Sequence, residues 1–136
     1  MVAGDHNHFN SCFFAEFYRL RHLRPLEDEV GVEVAVPGVR DALVARRSDT
    51  VAVSPIVAGS ALKGPADRLL DELGHEATVV GVARLYAPLA EALVIDHADA
   101  DLADDVAAEG IRPILAESIM RTPEVAAALA RTVLAG

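Results

Sequence analysis

The stretch 50-TVAVSPIVAGSALKGPADRLLDELG-74 decides how this chain folds. Thr50 to Ser54 is a short apolar run of the kind found in buried parallel strands. Residues 54–65, SPIVAGSALKGP, are rich in Pro and Gly and read as a loop. Pro65 suits the first turn of a helix that runs to Leu73 and is closed by Gly74. Strand, loop and helix in that order place the loop beyond a strand's carboxyl end, where ligands bind in open α/β sheets. Ser54 offers a hydroxyl, Gly59 and Gly64 allow close backbone approach, Lys63 supplies a point charge, and the helix start directs N–H groups toward an anion. The alternative is an ordinary strand-to-helix connection whose Gly and Pro only shape turns. The phosphate-loop pattern GxxxxGK[ST] is absent, since Lys63 precedes Gly64 here.

Working outward, Val39 to Val44 fits a helix, and residues 78–91 read as helical with a break at Pro88. Ala92 to Asp96 is a second buried-strand pattern. Asp101 to Glu109 is expected as a helix capped by Gly110, and Ile111 to Leu115 as a third strand. Thr122-Pro123-Glu124 opens a final helix rich in Ala, Leu and Val, expected to be core. On the amino-terminal side, residues 12–24 suit a helix ended by Pro25, and residues 30–36 allow either a short strand or a helix. Strands alternating with helices of about ten residues argue for an α/β protein with a parallel sheet. Three strands are few for such a sheet, so the expectation is a partial Rossmann-like parallel sheet with flanking helices. The chain divides into an aromatic-rich segment, 1–33, and an α/β domain, 34–136.

The 136 residues, 52% of them hydrophobic, can hold a core and exclude a disordered chain. No apolar run reaches the ~18–20 residues of a membrane span, and the N-terminus lacks a secretory pattern. The single cysteine, Cys12, allows no internal disulfide, which fits a cytoplasmic setting. The formal charge is −9, and it is uneven: residues 48–136 hold six bases against fourteen acids. Such a field disfavours nucleic acid and anionic lipid as partners. Eleven of the twelve bases are Arg, leaving Lys63 as the one lysine. Five of the six aromatic side chains precede residue 19, leaving Tyr86 alone in the body of the chain.

The acidic run 96-DHADADLADD-105 does not fit a calcium loop, because its sixth position is Asp101 and its twelfth is Ala107. Asp99 or Asp101 as a helix N-cap, with its neighbours on a solvated first turn, explains the run instead. Asp96 stands apart, because a carboxylate at the end of a buried strand points where ligands bind. His6 and His8 lack a third ligand and read as part of a mobile terminus. Cys12 reads as a buried inert thiol, and His75 as a surface residue.

Residues 53-VSPIVAGSALKGPADRLLDELG-74 resemble the signature of the 2-phospho-L-lactate transferase family of coenzyme F(420) biosynthesis. Ser54-Pro55-Ile56 and Lys63-Gly64-Pro65-Ala66-Asp67 match intact, while Ala58-Gly59 stands where the family usually has two glycines. Val36 to Leu43, Gly81-Val82-Ala83 with Tyr86, Val94-Ile95-Asp96 with Asp99, and Ile119-Met120 extend the similarity over residues 34–135. The family's opening Gly-rich loop and deazaflavin-binding acids have no counterpart here. Residues 14-FAEFYRLRHLRP-25 resemble a central family segment, but they lie much closer to the Val36 to Leu43 motif than that segment does in the family. The chain therefore resembles the family's carboxyl-terminal half with an internal deletion.

The resemblance implies transfer of a phospholactyl or phosphoenolpyruvyl group from a guanosine-diphosphate-linked donor to a deazaflavin. Mg²⁺ is the implied cofactor, neutralising developing charge while the protein positions the reactants. Ser54, Pro55, Ile56, Gly59, Lys63 and Gly64 would form one wall of the nucleotide site. Small-molecule substrates are the implied partners, with a homo-oligomer or a separate chain supplying the missing half. The competing readings are a non-catalytic remnant that keeps nucleotide affinity and a generic α/β nucleotide-binding domain.

Overall fold

Ala92 to Asp96 forms the centre of the molecule because every one of its five residues is buried. In the computed structural model, which describes residues 36–136, this strand lies between two parallel neighbours. The described elements are α1 (Val39–Ala45), β1 (Val51–Val53), β2 (Ile56–Val57), β3 (Ser60–Ala61), α2 (Ala66–Glu72), α3 (Val79–Tyr86), β4 (Ala92–Asp96), α4 (Ala103–Ala108), β5 (Arg112–Ala116) and α5 (Pro123–Ala135). Short 3-10 turns cover Arg47–Asp49 and His97–Leu102. The sheet order is β1-β4-β5, with Val51 beside Ala92 and Ala92 beside Arg112. All three strands therefore end on one edge, at Val53, Asp96 and Ala116.

A strand covered on both faces has no polar side to show, which is why β4 is an unbroken apolar run up to Asp96. Leu93 and Ile95 face one core with Ile56, Leu70, Val79, Val82, Val106 and Ile111. Val94 faces the other way, into a smaller cluster with Ala116 and Leu129. Helices α2, α3 and α4 thus close one face of the sheet, and α5 closes part of the other. The α/β class with a partial parallel sheet and flanking helices is the fold observed.

Several local expectations change on folding. Residues 54–65 hold a two-residue antiparallel hairpin, β2 and β3, where the composition predicts only a loop. Helix α2 begins one residue later than expected, with Pro65 as its N-cap, and Gly74 follows its end at φ 78. The helix expected from Asp101 is preceded by the 3-10 turn and starts at Ala103. The final helix is not core: Leu129 is its buried residue and Leu134 is 87% exposed. Its apolar residues surround the axis, whereas only a narrow stripe meets the short strands. The expectations for residues 1–35, including the aromatic helix, His6, His8 and Cys12, lie outside the described residues. Among the described residues no helix is long and apolar enough to cross a membrane.

The opposite edge of the sheet is fastened by Arg47. Its guanidinium donates to the Ala87 carbonyl at 2.7 Å and the Gly110 carbonyl at 2.7 Å, and pairs with Glu91. A planar fork with five N–H donors can tie three chain segments that a lysine could not.

Candidate functional site

The carboxyl edge is assembled from the ends of the three parallel strands. At the end of β1, the Ser54 N–H continues the ladder to the Val94 carbonyl at 2.9 Å. The Ser54 hydroxyl then turns inward, accepting from the Ile56 N–H at 3.1 Å and donating to the Ile56 carbonyl at 3.0 Å. Ile56 itself is 0% exposed and packs in the larger core, so its side chain anchors the loop and offers no surface to a ligand. Pro55, Gly59, Lys63 and Gly64 are on the exposed side of the same loop. The structure therefore splits the six sequence-predicted residues: Ser54 and Ile56 build the loop's base, and the other four border solvent.

The hairpin turn is Ala58-Gly59, both at positive φ, 50 and 75. Two consecutive residues at positive φ are what a two-residue hairpin of type I′ requires, and glycine is the residue that adopts this region without strain. Ala58 is the one non-glycine residue at positive φ among the described residues. An L-residue there costs roughly 1–2 kcal/mol. Opposite that turn, Asp99 accepts from the Ala58 N–H with both carboxylate oxygens, at 3.1 and 3.0 Å. Asp99 is only 3% exposed. The N-cap role expected for Asp99 is thus corrected: its side chain holds the hairpin, and the 3-10 turn bends at that residue, φ −110 and ψ 21.

Asp96 is the second bracket. One oxygen accepts from the Ala98 N–H at 3.0 Å, capping the 3-10 turn. The other accepts from the Ser118 N–H at 2.9 Å and the Ser118 hydroxyl at 3.0 Å, tying down the segment after β5. Burial pushes the Asp96 carboxyl up, but the amides of Ala98 and Ser118 and the Ser118 hydroxyl outweigh it and hold the group below the usual aspartate range. A third carboxylate, Asp67 in the first turn of α2, accepts from the Arg68 N–H at 2.8 Å and the Ala61 N–H at 3.4 Å. The helix start that was expected to face an anion is served by the chain's own carboxylate.

These hydrogen bonds bear on the implied Mg²⁺. Among the described residues no group of three or more His, Cys, Asp and Glu side chains converges as a metal site. Asp67, Asp96 and Asp99 at this edge each accept from backbone amides. A cleft of about 440 Å³ opens beside the same edge, between the end of β5 and α5, with His97, Glu117, Glu124, Leu129 and Thr132 around it. None of the six loop residues borders it. Sequence reasoning does not single out Ser118 or Arg47, whose partners are distant in the chain. The visible clue to Asp99 is the alanine at a turn position that favours glycine.

No family model matches the chain. A phosphoenolpyruvate transferase from Kitasatospora aureofaciens is 38% identical over 107 residues, covering 78% of this chain and 33% of the relative. A 2-phospho-L-lactate transferase from Methanocaldococcus jannaschii is 30% identical over 105 residues, covering 77% of this chain and 32% of the relative. A second 2-phospho-L-lactate transferase, from Methanosarcina acetivorans, is 34% identical over 107 residues, covering 77% and 34%. The chain spans about one third of the length of these curated relatives. This similarity over about three quarters of the chain's own length supports the family of phosphoenolpyruvate and 2-phospho-L-lactate transferases that its motifs resemble.

Proposed function

We propose that this chain supplies the donor-binding part of a 2-phospho-L-lactate transferase-like enzyme of coenzyme F(420) biosynthesis. The group transferred is phospholactyl or phosphoenolpyruvyl, the donor is linked to guanosine diphosphate, and the acceptor is a deazaflavin. In the reaction the deazaflavin hydroxyl attacks the donor phosphate nearest the acid. A new O–P bond forms, the bridging P–O bond breaks, the hydroxyl proton goes to solvent or a base, and the second phosphate leaves with the guanosine. The observation that carries this reading is the loop with the SPI and KGPAD motifs, folded as an ordered hairpin at the carboxyl edge of a parallel sheet. Exposed Pro55, Gly59, Lys63 and Gly64 line that loop's outer side and would contact the donor. Mg²⁺, in this reading, arrives on the donor's phosphates, as that ion commonly does. A cytoplasmic setting belongs to the same reading, since the chain has one cysteine.

Calorimetry with guanosine diphosphate and Mg²⁺ tests the reading. Saturable heat that Lys63→Ala weakens is expected, and no heat at millimolar ligand would overturn it. A second reading, a non-catalytic nucleotide-binding module completed by another chain, is favoured by one observation. Asp67, Asp96 and Asp99 all hold backbone amides, so none is poised for chemistry. Turnover of donor and deazaflavin by this chain alone would decide for the enzyme; binding without turnover would decide for the module.

A further inference from the structure

The geometry points to Asp99 as the positioning residue of the candidate donor loop: its carboxylate holds Ala58 in the left-handed conformation that sets the shape of residues 56–61. This inference rests on the loop's proposed role in binding but concerns how the loop is held. Four observations converge on it. Ala58 takes a φ of 50 that an alanine adopts only when its surroundings impose it. Its N–H lies between both oxygens of Asp99, at 3.1 and 3.0 Å, a charge-assisted contact stronger than a neutral one. The Asp99 side chain is buried, where an unpartnered carboxylate would be strongly disfavoured. The backbone of the 3-10 turn departs from helical geometry at that same residue, so the chain bends where the side chain reaches across.

The packing explains why one contact can set the loop. Ile56 and Val57 are buried at the base of the hairpin, while Ala58, Gly59 and Ser60 are exposed at its tip. The base is fixed by the core, and the tip is directed by its turn conformation and, on the outgoing strand, by the Asp67 contact with the Ala61 N–H at 3.4 Å. Asp99 follows β4, and the hairpin follows β1, so the contact joins two neighbouring strand ends across 41 residues of sequence. Without the carboxylate, water can satisfy the Ala58 N–H, but nothing then compensates the left-handed alanine. The turn would relax and carry the outer arm of the loop with it.

Hydrogen exchange at the Ala58 amide and calorimetry with guanosine diphosphate and Mg²⁺ test this together on the full chain. Asp99→Ala is expected to speed exchange at Ala58 by about tenfold or more and to raise the nucleotide Kd by about five- to tenfold. Asp99→Asn keeps an acceptor oxygen and should stay within about twofold of the unaltered chain on both readouts. The decisive variant adds Ala58→Gly to Asp99→Ala. Glycine takes the positive φ unaided, so most of the lost affinity should return although the contact is gone. A general structural role for Asp99 predicts no such return, and an affinity loss that persists in the double variant overturns the inference. Unchanged exchange at Ala58 in Asp99→Ala overturns it as well. Should the unaltered chain bind no nucleotide while exchange still follows this order, the positioning role stands and the donor-site reading falls.

Discussion

Asp96 shows how a residue recognised from sequence can have a different task from the one its position suggests. A carboxylate ending a buried strand reads as facing a ligand; it accepts three hydrogen bonds from Ala98 and Ser118 instead. Those donors hold its folded carboxyl below the ordinary aspartate value of 3.8. A lowered folded value means the stabilisation is fully present above the unfolded value and disappears as pH falls through the folded one. Asp96→Asn should therefore lower stability by about 1–3 kcal/mol at neutral pH, and the gap from the unaltered chain should close in acid. Urea midpoints at neutral and acid pH measure this; a gap that stays constant in acid would contradict it. Asp99 departs from its expected role for a related reason. Local sequence offers an N-cap, and its real partner, the Ala58 amide, is 41 residues away.

At the scale of elements, the strands are legible because burial on both faces leaves uninterrupted apolar runs between turn residues. The strand expected at 92–96 is observed with those bounds, and that expected from 111 is shifted by one residue. The hairpin is not legible, since two-residue strands carry no period to detect. Helix α3 adds a case where propensity and packing conflict. Gly81 lies in its first turn, where Thr78 caps it by accepting from the Gly81 N–H at 3.1 Å. A Cβ on Gly81 would stand 2.0 Å from the Glu76 carbonyl oxygen. Helix propensity alone makes Gly81→Ala stabilising by about 1 kcal/mol. The close approach should reverse the sign, to a net loss of about 1–3 kcal/mol. Thermal unfolding checks it, and a raised Tm would show that the preceding turn yields without strain.

Across the molecule, the two edges of the sheet are secured by opposite charges. One arginine gathers the segments before β4 and β5, and two aspartates gather the loops after β1, β4 and β5. Arg47→Ala should destabilise by about 1–3 kcal/mol, because two carbonyls and Glu91 lose a shared donor. Arg47→Lys should recover less than half of that loss, since a point charge cannot reproduce the fork. Chemical denaturation of both variants measures the difference, and equal stability of the lysine variant and the unaltered chain would refute the fork. Among the described residues β1 and β5 are sheet edges, with Val53 41% and Leu115 42% exposed. Edge strands left open among the described residues favour pairing with another chain, so self-association is expected in sedimentation experiments, and a monodisperse monomer would count against it.

The sequence by itself determined the α/β class, the runs of the three parallel strands, the helix ends at Gly74 and Thr122, and the family motif at Ser54 to Asp67. Each of these depends on residues within a turn or two of one another, where burial pattern and backbone preference act locally. Only the tertiary structure decided that Ile56 anchors the loop, that α5 stays largely exposed, and that Arg47, Asp96 and Asp99 hold the sheet's two edges. Those outcomes depend on which distant donors meet which acceptors once the sheet has formed, and a carboxylate in sequence carries no mark of the amide it will find.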